Sequence, residues 1–373
     1  EPYRRQRQMC IRDSMKLFTV GPVEMYPFTL KTAAGQIPYF RTKEFSAMML
    51  ESEELLKKQM HAPDTSRLVF LTASGTGAME ATVFNLFNKD DRLLIIDGGS
   101  FGHRFAQICE LHGIPHDVLT LSFGESLTSE RLEEYSGTAY TGLLVNIHET
   151  STGQLYDINM LSDFCRRKDM LLVADAISSF LADDVNAEKY SIDALITSSQ
   201  KGLALGPGMS FVLLSERAIH DRIGRISPPS LYLDFSDHLK NQERGQTPFT
   251  PAVRVLYELN EMLRHIEYDE GGIENRLNTV RAEAEWFRSQ VRVLPHVTIP
   301  EYPLSNALTP LVFSGVTAGE VYEAMRYKHE MTLTPNGGEL GKKLLRVGHI
   351  GYHPHEDQEQ LVLALKDVLN GGI

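Results

Sequence analysis

From Leu68 to Leu214 the sequence alternates short apolar runs with longer amphipathic stretches, and this alternation narrows the choice of fold more than any other feature. Leu68–Thr72, Arg92–Ile96, His116–Leu119, Leu143–Ile147, Met170–Ala174, Ala194–Thr197 and Met209–Leu214 have the length of buried strands. Between them Ala78–Phe87, Phe101–His112 and Asn159–Lys168 read as helices; in the first, Met79, Val83 and Leu86 share one face. Strands alternating with helices predict an α/β fold with a mostly parallel sheet. Phe45–Met60 reads as a helix, while Pro27, Gly35 and Pro38 predict irregular chain before it. The character changes after Ser227, where Pro228, Pro229, Pro248 and Pro251 mark a connection. Helices over Ala252–Ile266 and Ile273–Val291 follow. Short strands (Leu311–Ser314, Leu344–Val347) then alternate with helices (Gly319–Lys328, Asp357–Leu369), which predicts a smaller α+β domain. The expected division is a leader over 1–14, an N-terminal segment and large domain over 15–250, and linker helices with a small domain over 251–373.

Residues 1–14 are basic, with Arg4, Arg5, Arg7 and Arg12, but have no apolar core of a secretory signal. Their arginines suit a transit peptide, whereas Glu1, Asp13 and the scarcity of serine do not. The expectation is a leader foreign to the fold, with Met15 as the initiator. The net charge of −12 disfavours a nucleic-acid partner and requires any anionic substrate to be met by locally placed arginines. No apolar run approaches the length of a membrane span. Cys10, Cys109 and Cys165 have neither disulfide-framework nor metal-site spacing, so a reducing, cytoplasmic setting and no metal are expected.

Two strand-length runs end in chemistry. Met170–Ala174 runs into Asp175, and Ala194–Thr197 into Ser198-Ser-Gln-Lys201, followed by Gly202 and the Gly206-Pro-Gly208 turn. Ligands of open α/β sheets bind at the carboxyl ends of strands. A lysine there could form a Schiff base with a carbonyl cofactor, and an aspartate could hold a pyridinium nitrogen, the two anchors of pyridoxal phosphate chemistry. Ser74-Gly-Thr-Gly77, between a strand and a helix, could cradle a phosphate. Each has a plain alternative: a helix cap for Asp175, a solvated loop lysine for Lys201, an ordinary turn for 74–77. Two rival motifs fail. Glu80 stands where a dinucleotide fingerprint needs its third glycine, and Gly341-Lys342 continues to Lys343 where a P-loop needs Ser or Thr. His103, His148 and His349 have no metal-ligand spacing and read as structural.

Taken in order, several stretches resemble the class V aminotransferases of fold type I, in the branch of alanine–glyoxylate, serine–glyoxylate and 2-aminoethylphosphonate–pyruvate aminotransferases. They are Ser74-Gly-Thr-Gly-Ala-Met-Glu80, Gly99-Ser-Phe-Gly-His-Arg104, His148-Glu-Thr-Ser-Thr-Gly153, Asp175-Ala-Ile-Ser-Ser179, Ser198-Ser-Gln-Lys-Gly202, Thr247-Pro-Phe-Thr-Pro251 and Arg346-Val-Gly-His-Ile-Gly351. The likeness extends over nearly everything from Thr19 onward. It implies a seven-stranded large-domain sheet, a Schiff base on Lys201 and a bond from Asp175 to the cofactor's ring nitrogen. It further implies that Ser74, Gly75, Thr76 and Gln200 hold the phosphate, that Phe101 stacks on the ring and that Thr150 lies near its phenolic oxygen. Thr250, with Thr247, would reach the phosphate of a neighbouring subunit, so a homodimer with shared sites is part of the expectation. Arg346 would grip the substrate carboxylate. Arg41, in Tyr39-Phe-Arg-Thr42, matches more loosely, as a substrate or domain-interface residue.

The implied reaction moves an amino group from alanine or serine to glyoxylate or pyruvate in two half-reactions. 2-Aminoethylphosphonate with pyruvate is the alternative pair. A lyase or desulfurase of the same fold is a different class; it would need a thiol on a mobile loop, and Cys109 and Cys165 fall in predicted helices. A non-catalytic, cofactor-keeping regulator would need a DNA-binding segment.

Overall fold

The computed structural model describes residues 15–371; the expected leader lies outside them. The chain begins with β1 (Lys16–Leu17), α1 (Pro27–Ala33) and α2 (Lys43–Gln59). The alternating region follows: β2 (Arg67–Leu71), α3 (Gly75–Leu86), β3 (Leu93–Asp97), α4 (Gly102–Leu111), β4 (His116–Thr120), α5 (Ser129–Glu133), β5 (Gly142–Asn146), a hairpin of β6 (His148–Glu149) and β7 (Gln154–Leu155), α6 (Ile158–Lys168), β8 (Leu171–Asp175), β9 (Ala194–Ser198) and β10 (Ser210–Leu214). Next come α7 (Glu216–Asp221), α8 (Phe235–Gln242), α9 (Val253–Arg264) running into one π-helical turn, and α10 (Ile273–Val291). The chain closes with β11 (Val297–Thr298), β12 (Leu308–Phe313), α11 (Ala318–Lys328), β13 (Met331–Thr332), β14 (Thr334–Pro335), β15 (Leu344–Gly348) and α12 (His355–Leu369).

Seven strands form one sheet in the order β2-β10-β9-β8-β5-β3-β4. Only β10 runs antiparallel to its neighbours; the rest are parallel. The strands read as unbroken apolar runs because both faces are covered. Leu68, Phe70, Leu94, Ile96, Leu143, Val145, Leu172 and Ala174 point into one cluster with α2, α6 and α9. Their neighbours Val69, Leu71, Leu93, Ile95, Leu144 and Val173 point into the other, with α3, α4 and α8. Parallel pairing brings Asp97, Asn146, Asp175 and Ser198 to one edge of the sheet. The order in which strands are added reverses between β3 and β5, β4 lying on one side and β5 on the other, so the crevice between their ends is the switch point where ligands bind in such sheets.

A second, antiparallel sheet, β11-β12-β15-β14, packs with α10, α11 and α12 around Phe287, Leu311, Phe313, Val321, Leu345 and Leu365. Packing does not follow the expected division at 250/251. Helix α9 is no linker: Val255, Leu256, Leu259 and Leu263 share the core of the large sheet. Helix α10 bridges the two, with Ile273, Leu277 and Val280 in the large core and Phe287 and Val291 in the small one. Two helices were hidden by prolines in or around them. Pro27 opens α1 at a position where its missing N–H is no loss, and α8, inside the expected connection, buries Phe235 and Leu239.

The N-terminal segment joins the small domain and ends over the large sheet. Strand β1 pairs with β13 in parallel. Phe18 lies in the small core; its N–H donates to Thr332 O at 2.9 Å, and its carbonyl accepts from Gly348 N at 2.9 Å. Val20 N donates to Thr334 Oγ1 at 3.0 Å. This segment lies so close to β15 that a Cβ on Gly348 would sit 2.1 Å from Thr19 O. Gly348→Ala should therefore displace residues 18–21 and lower stability by about 1–3 kcal/mol, the usual cost of overpacking. Urea unfolding checks this: an unchanged midpoint would show that the segment is not held there.

Candidate active site

Asp175 is the last residue of β8 and is buried, its backbone paired between β5 and β9. Among the described residues its carboxylate accepts one hydrogen bond, from Ile177 N at 2.8 Å. Burial pushes its pKa up to about 7; the Ile177 bond pulls down, Glu149 pushes up, and Lys201 and Arg104 pull down. Lys201 follows β9 in a loop pinned from behind: Ser199 Oγ donates to Gly206 O at 2.8 Å, and buried Glu258 accepts from Gly206 N at 3.0 Å. The lysine's Nζ donates to Val20 O at 2.7 Å. A Cβ on Gly21 would lie 2.5 Å from Lys201 Cδ, so only glycine lets the N-terminal segment pass. Burial lowers the lysine's pKa to about 8, helped by Arg346 and Arg104 and opposed by Asp175.

Arg346, on β15, enters from the small domain. Its Nη1 donates to Thr150 O at 3.1 Å and its Nη2 to Pro335 O at 2.7 Å, while Nε is buried with no partner. Desolvation brings it down to about 10, against the pull of Glu149. Thr150 Oγ1 lies 2.7 Å from Ser178 Oγ, which lies 2.9 Å from His148 Nδ1. Burial, then Lys201 and Arg346, depress His148 to about 3, so it is neutral at physiological pH. Among the described residues its buried Nε2 has no partner, nor has Nδ1 of His349, so neither histidine is as fully satisfied as a purely structural reading expects.

Ser74 caps α3, accepting from Gly77 N at 3.4 Å, and both it and Thr76 face solvent at the helix N-terminus. Gly75 is buried, and a Cβ there would strike Ile177 Cδ1 at 2.4 Å. Gln200 leaves Oε1 buried and unpartnered. Phe101 opens α4, with the Arg104 guanidinium 4.9 Å above its ring.

The residue that holds this loop carries no sequence flag. Glu149, fully buried, accepts from Phe101 N at 3.2 Å, Gly102 N at 3.0 Å, Ser151 N at 3.0 Å and Asn146 Nδ2 at 2.9 Å, and from the Ser151 hydroxyl. One carboxylate thus ties the Phe101 turn to the Thr150 loop across the switch point. Its stretch was noted, but a residue acting on backbone N–H groups 48 and 47 positions away leaves no local pattern.

Arg41 does not join this group. Its guanidinium is taken by Gln246 Oε1 at 3.0 Å, Thr247 O at 2.8 Å and Pro248 O at 3.1 Å, above the Phe40 ring. It clamps the 246–248 loop instead of lying free for a substrate. The buried Thr247 hydroxyl donates to Phe249 O at 2.7 Å, and Thr250 is exposed. No hydrogen bond among the described residues links these three to Lys201, Asp175 or Arg346. Among those residues there is also no group of three or more His, Cys, Asp or Glu able to hold a metal ion, and no helix is long and apolar enough to cross a membrane.

A buried carboxylate that lacks a cation, a lysine tuned toward neutrality and a helix N-terminus fit one group well: pyridoxal phosphate, with its pyridinium, aldehyde and phosphate. The comparisons agree. The family model Aminotransferase class-V matches residues 31–333. The chain belongs to this family and is a pyridoxal phosphate-dependent aminotransferase of fold type I. The solved alanine–glyoxylate aminotransferase from Nostoc sp. superposes with a TM-score of 0.88 at 27% identity, covering 95% of each chain. Among curated relatives, the soluble hydrogenase 42 kDa subunit of Anabaena cylindrica is 27% identical over 96% of this chain and 94% of its own length. The L-aspartate–glyoxylate aminotransferase of Paracoccus denitrificans is 26% identical over 90% and 86%.

The raised pKa of Asp175 gives a signed prediction for the cofactor-free chain. Its protonated form stabilises the fold fully below about pH 4, and that contribution is lost as pH rises through about 7. Asp175→Asn carries no charge, so its melting point should exceed the parent's by a margin that opens between about pH 4 and 7 and is flat above, worth a few kcal/mol at most. A margin that does not vary with pH would contradict the burial of an ionisable carboxyl here.

Proposed function

We propose that this chain transfers the amino group of alanine or serine to glyoxylate or pyruvate by a ping-pong reaction, with Lys201 and Asp175 as its catalytic residues. One observation carries the reading: the buried Arg346 guanidinium, half-satisfied by two carbonyls and with Nε unpartnered among the described residues, lies close enough to Lys201 to lower its pKa, as Asp175 lies close enough to raise it. A single fixed cation suits substrates that each bring one carboxylate, the donor first and the acceptor after it. The glyoxylate acceptors named for the Nostoc and Paracoccus proteins support the acceptor class, while their donors differ.

Bound at this site, pyridoxal phosphate supplies the electron sink that lets a proton leave the substrate Cα. Ser74, Gly75, Thr76 and Gln200 would hold its phosphate, Phe101 would cover the ring, and the hydroxyl chain from Thr150 through Ser178 to neutral His148 would serve the phenolic side. Asp175 would hold the ring nitrogen and stay ionised there, because a cation beside it offsets the desolvation that otherwise raises its pKa. Lys201, brought down to about 8 by burial, is unprotonated in part near neutrality and mostly so above about pH 8, and in that form it would take up and return the Cα proton. Val20 O, fixed to the small domain by its own segment, orients that amine and helps to exclude water.

A cytoplasmic homodimer is part of the proposal. Exposed Thr250 and the neighbouring stack of Tyr232 on Phe249, 5.1 Å between centroids, suit contact with a second subunit. Cys109 and Cys165 are free and buried, which suits a reducing compartment. Burial also pushes the Cys109 thiol up to about 12 and raises Cys165, so neither is a ready nucleophile for desulfurase chemistry.

Lys201→Ala should abolish turnover and the Schiff-base absorption of the purified protein. Arg346→Ala should raise KM for donor and acceptor alike by roughly 10- to 100-fold, the worth of hydrogen bonds to a charged group. A panel of alanine, serine, aspartate and 2-aminoethylphosphonate, read in single turnover by cofactor spectral change, selects the donor. Preferred conversion of the phosphonate would move the assignment to that alternative, and product formation with no oxo acid present would move it to a lyase.

A further inference from the structure

Arg104 has no assigned part in the reaction, yet it stands where the phosphate end of the cofactor needs charge. It lies half-buried in the first turn of α4. Its Nη1 donates to Thr76 Oγ1 at 3.0 Å, on the first turn of the facing helix α3, and its guanidinium covers the Phe101 ring. Among the described residues it makes no ion pair, unlike Arg92, Arg222 and Arg276, whose carboxylate partners lie within 2.8 Å.

The surroundings make an uncommitted cation useful here. The chain carries a net charge of −12, and Asp97, Glu149 and Asp175 all sit at this edge of the sheet. A phosphate monoester brings a further charge of about −1.5 to −2 near neutral pH. The α3 N-terminus offers only about half a positive charge against it, and the Ser74 and Thr76 hydroxyls offer none. Lys201 and Arg346 are occupied with the aldehyde and the substrate carboxylate, and neither is hydrogen-bonded to residues 74–76. Arg104 is, and its field also reaches Asp175 and Lys201, lowering both.

The geometry points to Arg104 as the counter-cation of the cofactor phosphate: a binding residue that completes the Ser74–Thr76 cradle with full charge. This rests on the reading that residues 74–76 hold the phosphate. It makes a distinction that a purely structural arginine would not. An arginine acting on the phosphate discriminates pyridoxal phosphate from pyridoxal, whereas one that only braces Phe101 affects both equally.

The test titrates the full-length chain with pyridoxal phosphate and with pyridoxal, following Schiff-base absorbance, for the parent, Arg104→Gln and Arg104→Lys. Arg104→Gln should weaken pyridoxal phosphate roughly 10- to 100-fold, leave pyridoxal within about twofold, and lose the competition by inorganic phosphate that the parent shows; Arg104→Lys should recover part of the loss. Retained pyridoxal binding demonstrates that the variant is folded. Equal losses for both ligands, or no loss for either, overturn the assignment. A Thr76→Val variant separates the two readings. If it alone selectively weakens the phosphorylated ligand, the cradle stands and Arg104 is excluded. If the parent binds both ligands equally, the cradle itself is wrong.

Discussion

A carboxylate held away from water at the end of a central strand is the constraint around which this molecule is arranged. Asp175 cannot move: its backbone is bonded on both sides, by Asn146 of β5 and Ile196 of β9. It cannot hydrate, because the helices covering both sheet faces bury it. Without a cation it is driven toward its protonated form, with a pKa near 7. A cationic heterocycle reverses that preference, so the fold holds in advance an electrostatic demand that the cofactor meets. Such preorganised charge, set up by the scaffold and not by rearrangement during turnover, is the usual source of large electrostatic effects in enzyme sites.

The other site elements hold their partners at the correct distance from this acid. Glu149 fastens the Phe101 turn and the Thr150 loop through bonds to backbone N–H groups, so the two walls of the switch-point crevice move as one. Glu258 and Ser199 shape the loop that carries Lys201. The small domain contributes Arg346 directly and the Val20 carbonyl through the N-terminal segment, which is bonded to β13, β14 and β15 along its length. Helix α10, with one end in each hydrophobic core, transmits any displacement of the small domain to the large one. The positions of Arg346 and Lys201 are thereby coupled mechanically.

Much of this was legible in the sequence because it is written in local patterns. Strands buried on two faces appear as apolar runs, and Asp175 and Lys201 stand out because each follows such a run. The parts that were not legible depend on contacts distant in sequence or on atoms without side-chain identity. Glu149 works on residues nearly fifty positions away. The acceptor for Lys201 is a peptide carbonyl 181 positions upstream, which any residue at position 20 could provide. Arg104 lies within a stretch noted from the start, yet its tie to Thr76 exists only because α3 and α4 pack side by side. Arg41 shows the reverse case. A plausible motif arginine spends its donors on three oxygens of one loop, and nothing in its neighbours in sequence announces that. Helix α1 was obscured because Pro27 was taken as a breaker, when at a first helical turn it is a starter, and α8 because it lies between Pro229 and Pro248, in a stretch read as a connection.

The proposed pairing of Asp175 with the cofactor's ring nitrogen can be tested directly. Nitrogen NMR of the holoenzyme loaded with ring-¹⁵N pyridoxal phosphate should show that nitrogen protonated across the neutral range and beyond, and losing the proton in Asp175→Asn. A ring nitrogen found unprotonated at neutral pH in the parent chain would contradict the central claim.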